Sequence, residues 1–227
     1  MTRTEKYNFK LKYKVCGPQV TEHYEEESEV IVIDKFEESV LNLLSQNKQN
    51  YSMIELGSNH AYYSLLFNSI LKKYNKGAIN IMIEPDDCFY PLGVEHFSIN
   101  DRKGHFYKSI IGKNKKVGQF SKEKAKLNLD HLPLVSFEEL FSEHKLTNVD
   151  ILHCDIQGHE VELLEEYLKW FEEKRFNYIF IATHEGYRNA HTFCKKQFNS
   201  LPYQLEFEEE KNIIGGDSFL IYKMIEV

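Results

Sequence analysis

From about residue 50 onward the chain alternates short apolar runs with amphipathic stretches of helical length, a pattern that few folds accept. The strand candidates are YSMIEL (51–56), AINIMIE (78–84), HFYKSII (105–111), VDILHC (149–154) and FNYIFIAT (176–183). Between them lie helix candidates at 60–74, 86–97, 136–145, 158–174 and 188–199. In EVELLEEYLKWFEEK, Val161, Leu164, Leu168 and Phe171 recur at spacings of three and four, which predicts one apolar stripe laid against a sheet. Strands separated by helices of this length read as right-handed crossovers in a mostly parallel sheet. The end of the chain changes character. YQLEFEE (203–209) and DSFLIYKM (217–224), joined by a turn-rich KNIIGG, predict an antiparallel β-hairpin at the sheet edge.

The 227 residues fit a single domain over 1–227, with 1–50 as an N-terminal flank or lid and 51–227 as the core. In the flank, EVIVI (29–33) reads as a strand, and Asp34 reads as the N-cap of a helix through DKFEESVLNLLSQNK. Hydrophobic residues at 42% and charged residues at 28% suit a globular protein with a real core. The net charge of −7 argues against a generic nucleic-acid binder. The apolar runs are strand-length, too short to span a membrane, and the start of the chain lacks a signal-peptide core. Cys16, Cys88, Cys154 and Cys194 are scattered without a CxxC pair, which predicts reduced thiols and a cytoplasmic protein.

In open parallel sheets ligands bind beyond the carboxyl ends of the strands, so the first exit loop is the place to look. YSMIELGSNHAYYSLLF carries Glu55 at a strand tip and Gly57 in the turn, before a helix with free N–H groups. The next strand ends IMIEPDD, so Glu84 reaches the same edge and can take both ribose hydroxyls of an adenosine. A nicotinamide cofactor would want GxGxxG, because its pyrophosphate needs bare backbone. Only Gly57 survives of that pattern, and Ala61 stands where a further glycine would serve. A cofactor without phosphates tolerates the loss, and the extra carboxylate suits the sulfonium of S-adenosylmethionine.

Three segments resemble the FkbM-type S-adenosylmethionine-dependent methyltransferases. MIELGSNHAYYSLLF is similar to that family's cofactor turn, and IMIEPDD to its second-strand acidic segment. NVDILHCDIQGHEVELLE resembles its most distinctive feature, a strand ending in Asp-x-x-Gly-x-Glu and running into a helix. FIATHEGY looks like the strand-five Thr-His of some members. The resemblance implies a Rossmann-like class I methyltransferase fold, an α/β architecture with a mostly parallel sheet and a C-terminal antiparallel hairpin. It implies that Glu55, Gly57, Ser58 and Asn59 hold the methionine end and that Glu84 takes the ribose. Asp155 would stand beside the reactive methyl. The family methylates hydroxyl groups, often on sugars, so an O-methyltransferase of a sugar or glycan-related small molecule is expected. Ala61 with His60 before it departs from the family pattern and puts a Cβ into a crowded turn.

Methyl transfer to a hydroxyl needs alignment and a proton acceptor. Asp155 and His184, at the tips of the fourth and fifth strand candidates, could form an orienter-and-base pair. With Glu185 they could instead hold a divalent ion, magnesium or manganese. Glu160 reads as a carboxylate complementing the helix dipole, and His159 as a substrate contact or a surface residue. His153 reads as a hydrogen-bonded core histidine, and His191 as a residue closing over the pocket. Lys115 and Lys116, within the six lysines of KNKKVGQFSKEKAK, read as a solvated loop or a grip on an anionic acceptor. Three other readings stay open: a non-catalytic S-adenosylmethionine- or nucleotide-binding module, an NAD-dependent oxidoreductase, and a zinc hydrolase, the last without an HExxH motif.

Overall fold

The computed structural model describes residues 3–11, 15–16, 19–20, 27–113, 132–184, 189–209 and 217–225. They fall into two compact units, Met1–Tyr107 and Lys108–Val227. The larger strands form a mostly parallel mixed sheet of seven strands with helices.

The first unit opens with α1 (Arg3–Tyr7) and a short antiparallel pair, β1 (Val15–Cys16) and β2 (Gln19–Val20). There follow α2 (Glu27–Leu43), β3 (Asn50–Leu56), α3 (Tyr62–Lys73), β4 (Gly77–Ile83), α4 (Phe89–Ile99) and β5 (His105–Tyr107). β3 pairs with β4 in parallel from Asn50↔Gly77 to Leu56↔Ile83, and β4 pairs with β5 in parallel. EVIVI is not a strand but the first half of α2. Val32, Ile33, Phe36, Val40 and Leu43 are all buried, so the helical spacing of the whole stretch outweighs the β-propensity of its branched residues. Asp34 is therefore inside the helix and pairs with Arg3 rather than capping. The flank packs on α3 through rings: Phe9 meets Tyr62 and Phe36 meets Tyr63 edge-on, at 6.1 and 5.1 Å between centroids.

The second unit begins with β6 (Ile110–Ile111) and β7 (Leu134–Val135), which pair in parallel. HFYKSII is thus two strands, β5 and β6, with the polar Lys108–Ser109 pair at the break. Then come α5 (Phe137–Glu143), β8 (Val149–Cys154), α6 (Glu160–Glu172), β9 (Phe176–His184), α7 (Ala190–Phe198), β10 (Tyr203–Glu209) and β11 (Asp217–Met224). Every residue of β8 and β9 is buried, which explains their near-continuous apolar sequence. They pair in parallel, while β11 runs antiparallel to both β9 and β10. The expected hairpin therefore enters the sheet by its second strand; its connecting KNIIGG lies outside the described residues. In α6, Val161, Leu164 and Phe171 are buried as expected. Tyr167, at φ −115° and ψ 20°, breaks the regular turn and is buried where Leu168 was expected. Cys154 and Cys194 are buried free thiols, but Cys88 is disulfide-bonded, a pairing that sequence spacing does not reveal. No helix among the described residues is long and apolar enough to cross a membrane.

Candidate active site

In the first unit β3 delivers Glu55 and then turns at Gly57, whose φ of 69° is left-handed. The backbone N–H groups of Gly57 and Ser58 both donate to the carbonyl of Ile83, at 2.9 and 3.1 Å, lacing the turn to the end of β4. Glu84 follows that end and is 6% exposed. Its Oε2 accepts the N–H of Asn59 at 2.6 Å and its Oε1 the N–H of Asp86 at 2.9 Å. Two amides on two oxygens fix the plane of this carboxylate. Glu55 is buried too, and its Oε2 accepts the N–H of Ser64 at 3.1 Å. Ala61, at the N-cap of α3, offers no side-chain acceptor. Glu55 thus does the work of a helix cap from the neighbouring strand.

Ala61 is left-handed as well, at φ 61°. It is fully buried, and a Cβ placed on Gly93 of α4 would come within 3.3 Å of its own. The methyl group that departs from the family pattern is met by a glycine on the adjacent helix. His60 is buried, with Nδ1 3.1 Å from Asn59 Oδ1, and its carbonyl accepts from His96 Nδ1 at 2.8 Å. Burial first, and then the charge of His96, pull His60 down to about 3, so it is neutral.

In the second unit Asp155 follows β8, and a turn through Gln157 (φ 53°) and Gly158 (φ 94°) leads to His159, the N-cap of α6. β9 ends at His184. Its Nδ1 lies 2.8 Å from Glu160 Oε1, and its Nε2 lies 3.3 Å from Asp155 Oδ1. The Gln157 amide sits 2.8 Å from His184 Nε2 and 3.2 Å from Asp155 Oδ1. The atom so placed is Gln157 Nε2, which donates to Asp155 Oδ1. The side chains are ordered from solvent inward, with Asp155 35% exposed, His184 2% and Glu160 1%. Burial disfavours a charged His184, but hydrogen bonds and charge from Asp155 and Glu160 outweigh it and push His184 up to about 11. Burial works against the Asp155 carboxylate as well, and His184 outweighs it to hold Asp155 below its usual range. The group is a partly exposed Asp155 side chain backed by the buried His184 ring, itself backed by the buried Glu160 side chain.

Three further histidines are engaged elsewhere. His153 is buried, stacks on Phe180 at 6.3 Å, and burial pulls it down to about 4 against the charge of Asp155. His159 is buried rather than on the surface, with Nδ1 3.8 Å from Glu162 Oε2. His191 is buried between Thr183 Oγ1 and Glu208 Oε1, each at 3.0 Å, and ties α7 to β9 and β10. Lys115, Lys116 and Glu185 lie outside the described residues. Among the described residues no three His, Cys, Asp or Glu side chains are placed so that they could hold a metal ion. His184 also fits a metal poorly, because Glu160 takes Nδ1 while Asp155 and Gln157 take Nε2. Sequence reasoning missed Glu160 and Gln157 as partners of His184; a carboxylate in the first turn of a helix looks the same whether it faces water or a histidine.

The family model of the methyltransferase FkbM domain matches residues 24–205. The chain belongs to the FkbM methyltransferase family. That membership closes the oxidoreductase and hydrolase readings. No curated protein sequence shows a significant match. Among solved structures, the N-terminal domain of human METTL16 in complex with S-adenosylhomocysteine has a TM-score of 0.56 at 12% identity, covering 98% of this chain and 78% of that one. Magnesium protoporphyrin IX methyltransferase (ChlM) from Synechocystis PCC 6803, with bound S-adenosylmethionine, has 0.51 at 8%, covering 89% and 85%. WbdD, in complex with the kinase inhibitor LY294002, has 0.54 at 13%, covering 87% of this chain; the chain spans only 41% of that structure. At these identities the likeness speaks for the fold, which is that of class I methyltransferases.

Proposed function

We propose that this FkbM-family chain transfers a methyl group from S-adenosylmethionine to a hydroxyl of a sugar or glycan-related small molecule. The observation that carries the reading is the Glu84 carboxylate, buried beside the Gly57 turn with each oxygen on a backbone amide. A plain strand-to-helix corner gains nothing from burying a charge, which costs free energy unless it is hydrogen-bonded. A carboxylate held in a fixed plane is suited to the two hydroxyls of a ribose. Gly57, Ser58 and Asn59 would hold the methionine end. Glu55, whose Oε2 caps α3, would join them there.

When bound, S-adenosylmethionine supplies a methyl group on a good sulfonium leaving group, so the protein's share is alignment and proton handling. Asp155 is the exposed member of its group and is the residue that touches the acceptor. Its low basicity suits it to orient the O–H and receive the proton as the O–C bond forms, not to strip the hydroxyl beforehand. His184, almost wholly buried, holds Asp155 in place. The roles are thus the reverse of an aspartate orienting a histidine base. Lys115 and Lys116 are the proposed grip on an anionic acceptor, and an unchanged acceptor KM after their charge reversal would remove that part.

The test is transfer of labelled methyl to a panel of sugars, nucleotide sugars and glycolipid fragments. Label on a hydroxyl oxygen is expected. Label only on nitrogen would overturn the O-methyl assignment, and tight cofactor binding without any transfer would favour a binding module.

A further inference from the structure

We infer that Glu160 is a positioning residue for methyl transfer, acting on Asp155 through the ring of His184. The inference rests on the reading of Asp155 as the acceptor-facing group. Glu160 is 1% exposed, and its Oε1 lies 2.8 Å from His184 Nδ1. The same oxygen accepts the N–H of Gly158 at 3.1 Å and of Ile156 at 3.3 Å, while Oε2 has no hydrogen-bond partner among the described residues. A carboxylate that only complements the dipole of α6 would do so from the surface. Buried here, it is taken out of water, a cost that needs a specific partner to offset it. That partner is His184.

The consequence is geometric. With Nδ1 held by Glu160, the ring cannot turn over, and Nε2 is aimed at Asp155 Oδ1 and at the Gln157 amide. The two backbone amides fix the carboxylate in turn, so the line Gly158–Glu160–His184–Asp155 passes from the turn to the partly exposed side chain of Asp155. A group that reacts, a second that holds it and a third that orients the second is the general logic of catalytic triads. In this chain the exposed end is a carboxylate.

The experiment compares wild type, Glu160→Gln, Glu160→Asp and Asp155→Ala. Glu160→Gln keeps shape and a carbonyl acceptor but removes the charge; Glu160→Asp keeps the charge and shortens the reach. The ligand-free readout is the His184 ring by 15N–1H NMR. Wild type should show an Nδ1–H protected from exchange, and Glu160→Gln should lose that protection. With the best acceptor of the sugar panel, Glu160→Gln should lower kcat by about 100-fold or more, on the scale of removing an orienting group from a catalytic site. Acceptor KM and S-adenosylmethionine affinity should stay near wild type, and Glu160→Asp should recover part of kcat. A Glu160→Gln protein with wild-type kcat overturns the proposal, whatever its Tm. An unprotected Nδ1–H in wild type does the same, and decides the matter even if Glu160→Gln does not fold. If Asp155→Ala also keeps its kcat, it is the reading of Asp155 that fails, and the ring signal still reports whether Glu160 holds His184.

Discussion

Ala61 bears the cost of a left-handed backbone with a Cβ, about 1–2 kcal/mol for an ordinary residue. Its methyl is accommodated because Gly93 faces it, so the two positions should be coupled. Gly93→Ala adds a methyl 3.3 Å from that of Ala61, and Ala61→Gly in the same chain should relieve the clash. Urea denaturation of the double-mutant cycle should give a favourable coupling of about 0.5 kcal/mol or more, where strict additivity would deny the contact. The titratable core gives a second residue-scale expectation. His60 (about 3) and His153 (about 4) are both depressed by burial, so the unfolded chain takes up their protons near pH 6.5 and the folded chain does not. Their contribution to stability is whole above pH 6.5 and lost as pH falls from there. His184 has the opposite sign: its contribution is whole below pH 6.5 and lost as pH rises through about 11. Urea midpoints should fall from pH 7 to pH 4.5, less steeply in His60→Gln; an equal slope would show that His60 titrates normally. Gly57 and Glu84 were legible because turn glycines and strand-tip carboxylates follow from backbone chemistry. The partnership of Glu160 with His184 was not, since it joins residues 24 apart that only the pairing of β8 with β9 brings together.

At the scale of elements, helices were legible wherever an apolar stripe kept helical spacing, as in α3 and α6. EVIVI failed as a strand because its apolar residues belong to a longer stripe ending at Leu43, which a five-residue window cannot display. Caps divide the same way. Ser136 forms a complete capping box: its Oγ accepts the N–H of Glu139, and the Glu139 carboxylate accepts the N–H of Ser136. Ser136→Ala should therefore cost about 1 kcal/mol, read as a lower Tm; no change would mean that α5 is held by packing of Phe137 and Phe141 alone. α3 has no such local signal. Its cap comes from Glu55, at the end of the preceding strand.

At the scale of the molecule, the alternation of strand and helix gave away the mixed, mostly parallel sheet, and family membership follows from segments spread along residues 24–205. What the alternation could not convey is the division of labour between the acidic groups. In the proposed reading Glu84, held by two backbone amides, serves cofactor recognition, whereas Asp155, held by a buried histidine, serves acceptor chemistry. These are separable functions, and separability is the central claim. It is tested most directly by calorimetric titration of wild type, Glu84→Ala and Asp155→Ala with S-adenosylmethionine, alongside turnover of each. The account predicts that Glu84→Ala binds at least about 100-fold more weakly, the loss of two charge-assisted hydrogen bonds. Asp155→Ala should bind within about threefold of wild type, a few tenths of a kcal/mol, and transfer almost no methyl. Wild-type affinity in Glu84→Ala, or wild-type turnover in Asp155→Ala, would contradict it.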